Sequence, residues 1–552
     1  MEKIINRGIT YLWGIIVFFL TILSVVCSCR ESRYEHIYHI KDDPLLHLVA
    51  FILVLVFGVT ILHFKIKLPK FWGLGIIVIY AILVTGIIYY LQVSPIADQK
   101  KIVDIAKSMQ MGDFSAFRSG GYLEKYTNQI GITYFFYLIH QLTPYGLQVV
   151  RGINIVSYFA SVYLLGRISK KIFPELLSIY VDIYILMFLP LAFYIPFIYG
   201  NLMGFACSLL AVDFLVSYLE NANWKKTIGM MVFGSLSVLI KQNYLITVIA
   251  IILVLAWHCI CEKKLSSIGV AMLVLVSVMG LNTVVTARME AISGQRLEGG
   301  IPATAWIAMG MQNGPSADGW YNGYNTDLYE ECEYDREKAD QVAKADIEER
   351  IKYFISHPSE AISFYLKKNS SQWNNPTFEG MLINYQINRE RMNIAVKKVS
   401  GPIAKLTQES GKKGISIYFN LSQTIFLIGA CAWIVLRKGK IQIKQLILPI
   451  IFIGGFLFHT IWEAKSQYVV TYFVLLLPYS LLGWNLLCKE IHSLIEKKAL
   501  RDRETLRKNR AVLFVVVAIV FFLGSACIED KLVHSPLCYG DSSYHDYLKE
   551  IE

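Results

Sequence analysis

Runs of about twenty apolar residues recur along the whole chain, separated by short polar turns, and they leave few folds open. In hydrocarbon every backbone N–H and C=O needs an internal partner, so a chain with many such runs folds as a bundle of membrane-spanning helices. The length needed to cross a bilayer predicts about thirteen spans. They lie at Ile9–Ser28, His47–His63, Phe71–Leu91, Leu147–Leu165, Leu176–Ile198, Leu202–Leu219, Thr227–Ile240, Tyr244–Ile260, Ile268–Val285, Ile415–Leu436, Leu446–Ile461, Tyr468–Leu487 and Ala511–Cys527. The residue balance excludes a soluble protein. The chain is 55% hydrophobic and 17% charged, whereas soluble domains are about 25% charged. Met1–Ser28 is too long an apolar run for a signal-peptide core and no small-residue cleavage site follows, so an uncleaved first span is expected.

The net charge of +11 does not point to nucleic acid, because the basic residues flank apolar runs as topology signals do. With the N-terminus in the cytoplasm, the inner turns carry Lys3, Arg7, Lys65, Lys67, Lys70, Arg167, Lys170, Lys171, Lys225, Lys226, Lys263, Lys264, Arg437, Lys438 and Lys440. The outer turns carry almost none. A multi-pass protein of the cell membrane is therefore predicted. It divides into N-terminal transmembrane helices (1–92), a first extracytoplasmic loop with surface helices (93–145), a transmembrane core (146–288), a small extracytoplasmic domain (289–414), C-terminal transmembrane helices (415–527) and an extracytoplasmic tail (528–552). The ten cysteines form no metal or disulfide framework. Cys332 and Cys538 share the outer face, which leaves their pairing open.

The first outer loop is polar and rich in Tyr and Gly. Asp98 follows directly on a span. Ile102, Ile105, Ala106 and Met109 then repeat at three and four residues, with Lys100, Lys101, Asp104 and Lys107 opposite. This is an amphipathic helix able to lie on a membrane surface, and Gly112-Asp113 ends it. Ile130–Gln141 is apolar but too short to span, and reads as a re-entrant or surface helix. Asp98 can serve as a general base on an acceptor hydroxyl. On residue type alone a helix N-cap is the stronger reading of Asp98, and the two roles are compatible. In GYLEKYTNQ, Tyr122 and Tyr126 offer faces on which a sugar can stack, and Glu124, Lys125 and Gln129 offer polar contacts. An interfacial aromatic belt gives the same composition. Tyr199 and Asn201 of FIYGN occupy another outer turn. Lys241 can neutralise a phosphate as a point charge. Glu463 and Lys465, with Tyr468, form a charged cluster at the outer end of a span, where such charges are functional by default. Gln295-Arg296 and Trp373–Phe378 fit fold-stabilising roles better. No phosphate-binding glycine loop and no zinc or serine-hydrolase motif is present.

Several of these segments together resemble a known family. They are Asp98-Gln99 with Ala106 and Gly112-Asp113, GYLEKYTNQ, RGINIVSYFASVYLLGRISKKIF, FIYGN and FLFHTIWEAKSQYVVTYF. Over most of the membrane part the chain looks like the GT-C fold of bacterial membrane glycosyltransferases, related to protein O-mannosyltransferases and aminoarabinose transferases (glycosyltransferase family 39-like). The resemblance implies an all-α polytopic bundle with a small extracytoplasmic domain. It also implies a polyprenyl-phosphate sugar as donor, a glycan, lipid or protein as acceptor, and Asp98 as the catalytic acid of the first outer loop. Gln99, Tyr122, Glu124, Lys125, Tyr126, Gln129, Tyr199, Asn201, Lys241, Glu463, Lys465 and Tyr468 would contact substrate. Two departures matter. Many relatives have Asp-Glu where this chain has Asp98-Gln99, which disfavours a divalent metal, so no cofactor is expected. Many also have an acid where this chain has Asn201. The competing class is a transporter or lipid flippase of the envelope polysaccharide pathway, for which Asp182 and Asp213 are the intramembrane candidates. A non-catalytic polysaccharide-assembly protein is a third reading.

Overall fold

The computed structural model describes residues 2–31, 35–67, 69–91, 95–297, 299–380, 409–496 and 509–527. Cys538 and the tail 528–552 lie outside the described residues. The chain folds as an all-α polytopic membrane protein, the class its apolar runs dictate.

In chain order, α1 (Glu2–Val26) runs into a hairpin of β1 (Cys27–Glu31) and β2 (Ile37–Lys41). Helices α2 (Pro44–His63) and α3 (Lys70–Leu91) follow. The first long loop contains α4 (Ala97–Gln110), the single turn α5 (Tyr122–Lys125) and α6 (Ile130–Leu142). The central helices are α7 (Gly146–Ile172), α8 (Ser178–Leu186), α9 (Leu189–Ala192), α10 (Asn201–Glu220), α11 (Trp224–Ile240), α12 (Leu245–Glu262) and α13 (Ser266–Ser293). A helical domain holds α14 (Ala303–Gly310), α15 (Tyr324–Glu331), α16 (Arg336–Ser356) and α17 (Pro358–Trp373). The last helices are α18 (Glu409–Leu436), α19 (Ile447–Ile461), α20 (Ser466–Val474), α21 (Leu477–Glu496) and α22 (Arg510–Cys527).

Every expected span coincides with a helix or a broken pair, but fewer are long and apolar enough to cross a membrane alone. Among the described residues nine qualify, or ten if α20 and α21, bent by 49°, form one span. Three more are not among them. Helix α11 has 17 residues. Helix α3 runs for 22 residues, Lys70–Leu91, and Lys70–Gly86 is its apolar part among the described residues. The run Leu176–Ile198 is the true departure: it breaks after α8 into the four-residue α9 and an irregular stretch, at Pro190 and Pro196, because proline removes a helical N–H and clashes with the preceding turn.

Irregular backbone in an apolar interior is tolerated only where protein satisfies its polar groups. Here Asn154 of α7, wholly buried, donates from Nδ2 to the carbonyls of Ile195 and Phe197 at 3.0 Å each. Gln99 of α4 accepts from the Ile198 amide at 2.9 Å. Tyr194 donates to the Phe378 carbonyl. The stretch 194–200 is buried throughout.

The segments Cys27–Glu31 and Ile37–Lys41 are the second departure: between the first two spans they pair as the antiparallel strands β1 and β2, with Cys29 opposite His39. The Cys29 amide donates to the Asn374 carbonyl at 2.9 Å, which docks the hairpin on the end of α17. At the other end of the bundle Trp13, Phe173, Trp433 and Tyr479 interlock edge to face, with centroids 4.9–5.8 Å apart, and join α1, α7, α18 and α21.

Close approach of α18 and α21 rests on two glycines. A Cβ on Gly483 would lie 1.8 Å from the Gly429 carbonyl oxygen, so the backbones pack at a distance only glycine allows. Gly483→Val is expected to lower stability by at least the ~1–3 kcal/mol of ordinary overpacking. Gly280→Ala, which meets open space, should leave the midpoint of detergent unfolding almost unchanged. Equal midpoints for the two variants would refute this packing.

Candidate functional site

The entry to α4 places the first group. Ala97 has a left-handed φ of +46°, and the N-cap position falls on Ile96, which makes no side-chain cap. Asp98 therefore lies in the first turn and does not cap the helix. Its exposed carboxylate accepts a hydrogen bond from the Tyr199 hydroxyl at 3.3 Å, in a position the helix dipole favours for an anion. The apolar face of α4 (Ile102, Val103, Ala106 and Met109) is buried. It shares a core with Ile132 and Phe136 of α6. This corrects the surface-lying helix expected from the sequence: protein, not lipid, covers that face.

Tyr199 is the hub. It ends the irregular stretch held by Asn154 and Gln99, just before Gly200, whose φ is +81° and whose Cβ would meet the Ile240 carbonyl at 2.8 Å. Gln129 Nε2 donates to the Tyr199 hydroxyl at 2.7 Å. The Lys241 ammonium sits 3.7 Å from the centre of the Tyr199 ring and 5.9 Å from that of Tyr468. Such contacts partly replace water around a buried cation. Burial pushes the Tyr199 hydroxyl well above the usual phenol range. It does the same to Tyr122, reinforced by the Asp98 charge. Both phenols stay protonated and can donate.

Across the cluster, the loop between α19 and α20 carries Glu463 and Lys465. Glu463 is buried and accepts from the Tyr468 hydroxyl at 3.5 Å. Burial raises its pKa to about 7, against the opposing pull of Lys465. Burial lowers Lys241 to about 7, opposed by Asp98 and Glu463. Lys465 pairs with Glu35 at 3.1 Å. Burial works against its charge, but Glu379, Glu35 and Glu463 together hold its pKa above the ordinary lysine value.

Three of these groups escape sequence reading. Glu35 belongs to the hairpin turn, and Glu379 to the segment after Trp373. Glu379 is buried, burial raises its carboxyl well above the usual range, and its Oε1 has no hydrogen-bond partner among the described residues. Lys368 of α17 is fully buried and donates to the Gly310 carbonyl and, at 3.4 Å, to that of Ile461. Burial lowers its pKa to about 7, with Glu463 opposing. In sequence each is an ordinary charge in a polar segment. Only the fold buries Lys368 and Glu379 and brings the half-exposed Glu35 to Lys465.

Of the residues singled out in the sequence, Asp98, Tyr122, Gln129, Tyr199, Lys241, Glu463, Lys465 and Tyr468 converge here. Gln99 and Asn201 stand behind the cluster as braces rather than facing it. Gln99 is spent on the Ile198 amide. Asn201 donates weakly to the Gln467 carbonyl at 3.5 Å, and its own carbonyl accepts from Tyr244. Glu124, Lys125 and Tyr126 face the helical domain. Tyr329 donates to Glu124, Lys125 pairs with Glu330 at 2.7 Å, and the Tyr126 hydroxyl meets that of Thr326 at 3.0 Å. Among the described residues no group of three or more His, Cys, Asp or Glu is placed to hold a metal ion.

A family described as conserved hypothetical integral membrane protein matches residues 152–489, more than half of the chain. The chain belongs to that family. The matched region of this integral membrane protein takes in Tyr199, Lys241, Glu463, Lys465 and Tyr468, and begins after Asp98. No curated protein and no solved structure matches the chain.

The Lys465–Glu379 relation has a measurable consequence. A carboxyl with a raised folded pKa contributes stability at low pH that is lost as pH rises through that pKa. Lys465→Met removes the counter-charge and raises the pKa further. Its stability deficit relative to wild type should widen as pH rises, by up to about 1.4 kcal/mol per pH unit. In a Glu379→Gln background the widening should be much smaller. Parallel pH profiles of unfolding midpoint in both backgrounds would rule out the coupling.

Proposed function

We propose that this protein is a GT-C-type membrane glycosyltransferase that moves a sugar from a polyprenyl-phosphate donor to an extracytoplasmic acceptor. One observation carries the reading. An exposed carboxylate on the first long loop stands within hydrogen-bond reach of a phenol, beside a desolvated lysine, at the end of a bundle otherwise apolar. Catalysis of this kind needs a base for the acceptor, a cation for the leaving phosphate and a site shielded from bulk water.

In this reading the acceptor hydroxyl oxygen attacks the anomeric carbon as the bond from that carbon to the phosphate oxygen breaks. The hydroxyl proton passes to Asp98, and the bonding pair leaves with the polyprenyl phosphate. A single displacement inverts the anomeric centre. Tyr199 and Tyr122 orient the carboxylate as donors. Lys241 meets the phosphate: an arriving anion favours its charged form, so donor binding itself draws the proton that neutralises it. Glu463 and Lys465 set the potential Lys241 feels. No metal is needed by this scheme. The N-terminus and the basic turns are assigned to the cytoplasm by their charge, which sets the Asp98 loop outside.

General-base help is worth about 10²–10⁴-fold. Asp98→Asn is therefore expected to fold like wild type and lose transfer by at least that range. The assay is release of polyprenyl phosphate from a labelled polyprenyl-phosphate sugar by purified protein with an acceptor fraction. Transfer by Asp98→Asn at the wild-type rate would end the assignment. Lys241→Ala should weaken donor binding with a smaller effect on turnover. Because Lys241 loses its proton near neutrality, donor affinity should fall between about pH 6 and pH 8. Lys241→Arg, always charged, should flatten that profile. A profile unchanged by the arginine would assign the titration to another group.

A transporter is the second reading, favoured by the broken α8–α9 pair. Asp182 in α8 is buried, and its Oδ1 has no hydrogen-bond partner among the described residues. Asp213 does not share this character, since Arg167 and Lys171 pair with it at 3.2 and 2.5 Å. Substrate uptake into vesicles that is lost in Asp182→Asn but kept in Asp98→Asn would select the transporter.

A further inference from the structure

At the end of the bundle opposite Asp98, where α1 begins and α18 ends, lies a cavity of about 950 Å³. The length of α1, 25 residues, separates the two sites by roughly 37 Å at 1.5 Å per residue. Six basic residues from α1, α22 and the turn after α18 line the cavity: Lys3, Arg7, Arg437, Lys438, Lys440 and Arg510. The acids among its lining residues are Glu2 and Glu490. Glu490 is taken by Lys438 at 2.6 Å. Lys3, Arg7, Arg437 and Lys440 are left without an ion-pair partner among the described residues.

Basic residues at this end of a membrane bundle serve as topology signals in water, and that role requires no cavity and no buried polar atoms. Two features exceed it. Arg437, its guanidinium 5.5 Å from the Trp433 ring centre, buries an Nε with no partner among the described residues. Asn6 is 4% exposed. Its Nδ2 donates to the Ile441 carbonyl at 3.0 Å, yet its Oδ1 has no partner among the described residues, and Asn6 is itself one of the residues that line the cavity. Buried polar atoms are nearly always satisfied. An unsatisfied donor and an unsatisfied acceptor on two residues that line one basic cavity suit a ligand with both an anion and a hydroxyl. The cavity borders lipid-facing surface: Ile4 and Tyr11 of α1 and Leu513 of α22 are exposed apolar side chains. A headgroup seated in the cavity could therefore keep its acyl chains along α1 and α22.

We propose that this cavity binds the phosphate of an anionic phospholipid headgroup, with Arg437 and Lys440 on the phosphate and Asn6 accepting from a headgroup hydroxyl. Basic pockets between helices at a membrane surface recognise such groups. The site is separate from the glycosyl-transfer reading and stands or falls without it.

The full chain in nanodiscs of phosphatidylcholine doped with phosphatidylglycerol, followed by native mass spectrometry of retained lipid, tests the proposal. Retention of phosphatidylglycerol over phosphatidylcholine is expected. Arg437→Gln and Lys440→Gln should each weaken it about fivefold, the worth of one cation near a membrane surface. Lys67→Gln, a cation in another turn at the same end, should leave it unchanged. Unfolding midpoints in pure phosphatidylcholine show that each variant is folded. Equal losses in all three variants would reduce the effect to general surface charge and overturn the proposal, as would wild type with no preference for the anionic lipid. Inorganic phosphate forms a separate arm. Arg437-dependent thermal stabilisation by phosphate, without lipid retention, would keep the phosphate site and assign it to the soluble ion.

Discussion

A stretch of irregular backbone sits inside a bundle that offers it no water, and the candidate site depends on how that stretch is satisfied. Residues 194–200 cannot make helical hydrogen bonds past Pro196, so Asn154 and Gln99 supply missing ones, and the Tyr194 hydroxyl ties the stretch to the Phe378 carbonyl. An unmet backbone group in an apolar setting costs several kcal/mol, so these side chains fix the stretch in one conformation. Tyr199 is carried at its end. The distance from Tyr199 to Asp98, and the seat of Lys241 on the Tyr199 ring, are set by that conformation and not by contacts within the site itself.

What the sequence made legible follows the same physics. Helices are readable because twenty apolar residues in lipid have few alternatives to a helix. Asp98, Lys241, Glu463 and Lys465 stand out because a charge at the edge of an apolar run is costly without a partner or a purpose. The break after α8 is hidden because Leu176–Ile198 is apolar apart from Ser178 and Asp182, and hydropathy does not register that Pro190 and Pro196 deny it a helix. The hairpin is hidden because neither CSCRE nor IYHIK alternates cleanly. Gln99 and Asn201 were expected to meet substrate because an amide suits a sugar hydroxyl and a peptide group equally well. Glu35, Lys368 and Glu379 gave no signal, being charges in polar segments that only tertiary packing buries (Lys368 and Glu379) or brings to Lys465 (Glu35).

The buried charges of the site are poised rather than fixed. Lys241, Lys368 and Glu463 are all brought by burial to about 7, while Lys465 is held charged by the acids around it. In a medium of low dielectric the proton count of such a group follows whatever charge enters nearby. On the proposed reading, a neutral acceptor and an anionic donor would therefore meet different electrostatic states of the same residues.

The chain order of the site carries a last consequence. Its side chains come from Glu35 between the two strands, from the first loop at Asp98, from Lys241, from Lys368 and Glu379, and finally from the turn with Glu463 and Lys465 and from Tyr468 at the start of α20. Synthesis delivers them in that sequence. Until the turn between α19 and α20 emerges, Glu379 lacks Lys465, and Lys241 lacks Glu463 and the Tyr468 ring. A half-made chain thus holds ionisable groups without the partners that the finished fold gives them, and their charges come into balance only with one of the last turns of the bundle.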